Sequence, residues 1–151
     1  MRNAADALNS LKQKLSLDEL VLDQEGSCGI IIDQETEIFF FGAPDGETLQ
    51  MSGVIGDLHT GGAVLAQRLL ELNAGGVETG PAAFAADPVT GEVLLTRQIV
   101  LPHMSADEVF ASLEDFVARV EYWIEALPRL AASRKNEASD LSVSELMLLR
   151  G

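Results

Sequence analysis

The sequence predicts an α+β domain with the element order α-β-β-β-α-β-β-α. Three observations predict it. Short apolar runs come in groups joined by turn signals, as antiparallel hairpins require. Leucines recur at helical spacing on either side of the first strand group, as Leu8, Leu11 and Leu15 and again as Leu65, Leu69 and Leu72. A longer apolar stripe from Val109 to Leu130 follows the last strand and is broad enough to cover a sheet. With 151 residues, 47% of them hydrophobic, the chain can bury a core of its own.

Residues 4–15 predict a short amphipathic helix whose three-leucine stripe is narrow, so its stability depends on docking. Ser27–Asp33 and Glu35–Phe41 then predict two strands joined by a tight turn at Asp33-Gln34. Both are apolar on both faces, as expected of strands covered on two sides. Pro44-Asp45-Gly46 is a turn signal before a third strand, Thr48–Ile55, in which Leu49 and Met51 alternate with Thr48, Gln50 and Ser52. Thr60 is the expected cap of a second helix over 62–74, which Gly75-Gly76 stops. A second hairpin joins Ala82–Ala86 to Glu92–Leu101 through Asp87-Pro88-Val89-Thr90-Gly91. Ser105 and Glu108 form a capping box for the last helix. Val109, Leu113, Phe116, Val120, Trp123, Leu127 and Leu130 make its stripe, widened by Phe110, Val117 and Ile124. Pro128 is expected to kink or end it. Residues 1–133 therefore read as one domain, and 134–151 as a tail, flexible or a short docking helix capped by Ser142 and carrying Leu146, Met147 and Leu149.

The net charge of −14 is unevenly spread: residues 17–60 hold ten carboxylates and no Lys or Arg. Such a balance disfavours nucleic acid and anionic membrane surfaces as partners. It serves solubility, or an acidic face that attracts a basic partner segment. The first residues lack a signal peptide's apolar core, and no apolar run reaches the roughly 20 residues that span a bilayer, so a cytoplasmic protein is expected. Cys28 stands alone, which leaves no disulfide framework, and at the head of an apolar strand it reads as a small hydrophobe. His59 and His103 lack ligand partners at metal spacing on a shared element. Gly61-Gly62 at a helix start suits anion binding, but the neighbourhood is acidic and close packing is the simpler role. Neither an enzyme nor a cofactor is expected. What remains is apolar area beyond what one long helix covers, either an ordinary core or a surface kept for another chain.

The element order, the strand opener Gly26-Ser27-Cys28 with Ile30-Ile31-Ile32-Asp33, the helix motif Leu69-Leu70-Glu71-Leu72-Asn73, the hairpin Asp87-Pro88-Val89-Thr90-Gly91-Glu92-Val93 and the long last helix resemble the class I type III secretion chaperones of the Tir-chaperone (CesT-like) family. The resemblance runs from residue 4 to about 132. It implies a cytoplasmic homodimer that binds the N-terminal region of a secreted effector, keeps it extended and delivers it for export, with the secretion apparatus ATPase as a further partner. Client contacts would then fall on Leu8, Leu11, Leu15, Ile30, Phe39 and Phe41, and the dimer contact on Leu65, Leu69, Leu72 and Phe84. On that assignment, Leu11→Asp is expected to weaken client binding and spare the dimer. Residues 121–128 also resemble the last helix of family members that act as anti-anti-activators, which makes a regulatory binding protein the alternative. A small enzyme or ligand-binding domain of similar architecture is the third reading.

Overall fold

Asn3 opens the first element: its side chain accepts the Asp6 amide at 2.9 Å, and helix α1 (Ala4–Leu15) runs until Ser16, at φ 53°, ends it. The computed structural model describes residues 2–18 and 20–150, without the side chains of Thr60 and 133–150. Strands β1 (Ser27–Ile32) and β2 (Thr36–Gly42) meet at Asp33 and Gln34, both at positive φ, as a type I′ turn demands. Strand β3 (Thr48–Asp57) follows a turn in which the Asp45 carboxylate accepts the amides of Glu47 and Thr48 at 2.8 and 2.9 Å.

A single 3-10 turn (Leu58–Thr60) leads into helix α2 (Gly62–Gly75). Here the structure departs from the sequence reading. The cap is Gly61, not Thr60, and it offers no side-chain hydrogen bond. Gly61 is there for packing, because a Cβ would stand 2.6 Å from the Leu65 Cβ and 3.2 Å from that of Ala131. Gly76, left-handed at φ 68°, closes α2 as expected.

Strands β4 (Ala83–Ala86) and β5 (Glu92–Val100) complete one antiparallel sheet of order β1-β2-β3-β5-β4. Helix α3 (Ala106–Arg150) begins at the expected capping box, Glu108 accepting the Ser105 amide at 2.7 Å and Ser105 Oγ the Glu108 amide at 3.2 Å. Pro128 lies within α3 and does not end it. Packing on either side holds the helix there: Leu127 presses on Gly56 and Ala131 on Gly61. The backbone of 134–150 continues this helix, whereas the side chains of Ser142, the suggested cap, and of Leu146, Met147 and Leu149 lie outside the described residues.

All three helices serve one face of the sheet. Ile30, Ile38, Phe40, Leu49, Met51, Ile55, Val93, Leu95 and Ile99 point inward and are buried with Val109, Leu113, Phe116, Val120, Trp123 and Leu127 of α3. A polar clamp fixes α3 over the sheet. Arg97 of β5 donates to the Ser112 carbonyl at 3.2 Å and to Asp115 at 3.0 Å; Arg119 donates to the same carboxylate oxygen at 2.9 Å and to the Thr79 carbonyl at 3.4 Å. Among the described residues, the other face carries no helix. The expectation that β1 and β2 are covered on both sides is therefore corrected: their second apolar face is open, with Ile31, Phe39 and Phe41 exposed.

Candidate functional site

Alternation along β1 and β2 builds the open face. Residues of even number point to the helices, so Ile31, Phe39 and Phe41 point away and stand 66%, 41% and 43% exposed. Gly29 lies opposite Phe39, and a Cβ there would sit 3.3 Å from the Phe39 ring, so the aromatic packs against the outer strand at its glycine. Val100 at the far end of β5 adds a further exposed side chain.

The two sheet edges differ. On β4, Asn73 of α2 donates to the Phe84 carbonyl at 3.0 Å and accepts the Phe84 amide at 2.7 Å. That four-residue edge thus has its central outward groups satisfied by a side chain. On β1, the outward groups of Ser27 are taken by Asp23, whose Oδ1 accepts the Ser27 amide at 2.9 Å and whose amide donates to the Ser27 carbonyl at 2.8 Å. Backbone groups alternate in direction along an antiparallel strand. Gly29 and Ile31 consequently aim their N–H and C=O groups away from β2, along an edge that no other strand occupies among the described residues.

Beside this edge, between the end of α1, the β1–β2 turn and α3, lies a groove of about 300 Å³. Leu15, Ile32, Phe110 and Val117 form its apolar surface, and Asp33, Glu114 and Glu121 its acidic rim. Glu121 accepts the Thr36 hydroxyl at 3.4 Å. A second, smaller groove of about 180 Å³ runs between α2 and β4, lined by Leu58, Ala66, Leu69, Leu70, Asn73, Phe84, Ala85 and Ala86. Leu70 at its rim is 68% exposed.

The expected site residues separate accordingly. Phe39 and Phe41 lie on the open face, and half-buried Leu15 lines the groove beside it. Leu8, Leu11 and Ile30 are core residues, with Leu11 fully buried. They carry α1 and β1 from beneath, because α1 turns its leucines onto α3 and the sheet. Leu11→Asp would therefore strike the core before any surface. Leu65, Leu69, Leu72 and Phe84 are also buried within the subunit, although Leu69 and Phe84 floor the α2–β4 groove. Sequence reasoning missed Ile31, Leu70, Phe110 and Val117 as surface formers. The signal for Ile31 was its odd position beside buried Ile30; for Leu70 it was a leucine outside the Leu65–Leu69–Leu72 stripe.

Burial, with the Asp23 carboxylate adding to it, pushes the Cys28 thiol up to about 11, which leaves little of it as thiolate at neutral pH. Exposed His59 lies 3.9 Å from Asp57 on its own turn. Among the described residues, no three His, Cys, Asp or Glu converge as metal ligands, and no helix is long and apolar enough to cross a membrane.

This architecture is similar to known ones. No curated protein sequence matches the chain. Among solved structures, a chain in the crystal structure of the ExsC-ExsE complex is 22% identical at a TM-score of 0.72, covering 82% of this chain and 92% of that one. A chain in the HopA1-SchA chaperone-effector complex is 18% identical at 0.63, covering 82% and 91%. The Yersinia pestis type III secretion chaperone SycH, in complex with a stable fragment of YscM2, gives a match of 22% identity at 0.56, covering 77% and 98%. At these identities the likeness is one of fold, the α+β fold that the element order predicted. The model of one family matches residues 6–124, the sheet and all but the end of the helical layer, and by that match the chain belongs to the Tir chaperone protein (CesT) family.

Proposed function

We propose that the chain is a type III secretion chaperone that holds an extended N-terminal segment of a secreted effector and presents it for export. The observation that carries this reading is the free β1 edge at Gly29 and Ile31, flanked by the exposed Ile31, Phe39 and Phe41 on one side and the Leu15–Ile32 groove on the other. An extended guest pairs its backbone with such an edge and places alternate side chains on the two flanks. Ordering a long guest costs enough entropy that the complex stays releasable. Support also comes from the similar chain in a chaperone-effector complex. The contact set is then Leu15, Phe39 and Phe41 with Ile31 and Ile32, supported from below by Leu8, Leu11 and Ile30.

The working unit in this reading is a cytoplasmic homodimer, joined through the apolar α2–β4 groove, with Leu70, Leu69 and Phe84 at its centre and Leu65 and Leu72 behind them. The secretion apparatus ATPase is the partner to which the loaded dimer delivers. The chaperone itself uses no cofactor and performs no catalysis. A regulatory role shares the same surface, and the identity of the captured protein separates it from export: a secreted effector marks a chaperone, a transcriptional control protein a regulator.

Co-expression with the proteins of its own cell, affinity capture and mass spectrometry test this. The native chain should retain a secreted protein through its N-terminal segment. Phe39→Ser with Phe41→Ser should lose most of it without a change in thermal melting. Equal capture by the double variant, or no client together with normal secretion in a deletion strain, overturns the reading.

A further inference from the structure

The groove beside β1 is apolar within and acidic around, and this combination selects the chemistry of its guest. Leu15, Ile32, Phe110 and Val117 give it no polar floor, while Asp33, Glu114 and Glu121 stand exposed on its rim. Glu37 continues the same charge onto the open face, where it lies opposite Ile31. Among the described residues, no Lys or Arg lines the groove. Lys14, whose ammonium is 5.4 Å from the centre of the Phe110 ring, is already bound to Asp107 at 2.6 Å. The surrounding stretch 17–60 holds no Lys or Arg.

Resting on the function proposed above, we propose that the segment which pairs with β1 is a cationic strand, in which Lys or Arg alternates with apolar residues. The free main-chain groups of Gly29 and Ile31 require an extended backbone. The groove floor and the Phe39 face accept apolar side chains. Lys and Arg lay their methylene stems across such surface while their charged heads reach the carboxylates at its margin. An acidic or neutral guest of equal apolarity lacks this second attachment, and a rim of one sign also speeds the encounter with a cationic segment and repels an anionic one.

The test uses the full chain and two 12-residue peptides, one of Lys-Val repeats and one of Ser-Val repeats. Fluorescence anisotropy should give at least tenfold tighter binding for the Lys-Val peptide, weakening as salt rises. Amide shifts in the 15N-labelled chain should centre on Gly29–Ile32 and Val117–Glu121. The combined variant Asp33→Asn, Glu114→Gln, Glu121→Gln should weaken it about tenfold, the sum of three exposed ion pairs. Removing three exposed carboxylates elsewhere, by Glu47→Gln, Glu78→Gln and Glu125→Gln, should change it less than twofold. The inference is overturned by equal affinity for the two peptides, by equal loss in the two triple variants, by shifts that centre on α2 and β4, or by no binding. Client capture reads the broader function separately, so a peptide failure with capture intact removes the charge selection alone.

Discussion

Gly53 and Gly56 govern how closely α3 approaches β3. Both face the helix, and a Cβ on Gly53 would stand 2.8–2.9 Å from both methyls of Val120. Gly53→Val should therefore destabilise the fold by about 1–3 kcal/mol through overpacking, read as a lower urea midpoint with an unchanged slope. Cys28 is quiet for a different reason: with its thiol pushed from 9.0 to about 11, little of it is thiolate at pH 8. Modification by iodoacetamide should be about a hundredfold slower in the native chain than in denaturant. At Asp87, hydrogen bonds from the Val89 and Thr90 amides hold the carboxyl below its ordinary range. A carboxylate depressed in the folded state stabilises fully above its unfolded value near 3.8, and that contribution disappears as pH falls through the lower, folded value. Asp87→Ala should thus lower Tm at pH 7, and the gap to the native chain should narrow below pH 4. The turn at Asp87 was legible from its residues, because Asp, Pro and Gly each carry a local conformational preference. The packing roles of Gly53 and Gly56 were not, since they depend on which helix lies over the strand.

At the scale of elements, the contrast between the two sheet edges organises the molecule. Asn73 closes the β4 edge with two hydrogen bonds to Phe84, while β1 keeps Gly29 and Ile31 open. Asn73→Ala leaves both Phe84 groups without that partner and should cost about 1–3 kcal/mol, with faster amide exchange at Phe84. The strands, their order along the chain and the capping box of α3 were readable because each rests on local spacing. The side on which the helices lie was not readable, because an Ile-Ile-Ile run looks alike whether its second face is covered or bare. The same limit explains the leucines of α1. Helical spacing identified Leu8, Leu11 and Leu15 as one stripe, but only tertiary packing distinguishes buried Leu8 and Leu11 from half-buried Leu15. Pro128, expected to kink or end α3, does not end it: packing at Leu127 and Ala131 carries the helix past a residue that an isolated helix tolerates poorly.

For the whole molecule, one face is dressed in helices and the other left bare, and the two grooves lie at opposite edges of the sheet. In the proposed function this separates joining from holding. If α2 and β4 join two copies, Leu70→Glu should give a monomer by light scattering with an unaltered circular dichroism spectrum, since Leu70 is 68% exposed and contributes little to the core. The β1 side would then remain able to bind a guest. An excess of carboxylates opposes self-association of such a bare face, and the proposed cationic guest follows from the same sign of charge. Hydrogen exchange at Gly29 and Ile31 tests the account most directly, measured on the chain alone and on the complex it forms with its client. Strong protection of these two amides on binding, with Phe84 unchanged, is the predicted result. Exchange at Gly29 and Ile31 that stays fast while protection appears elsewhere would contradict it.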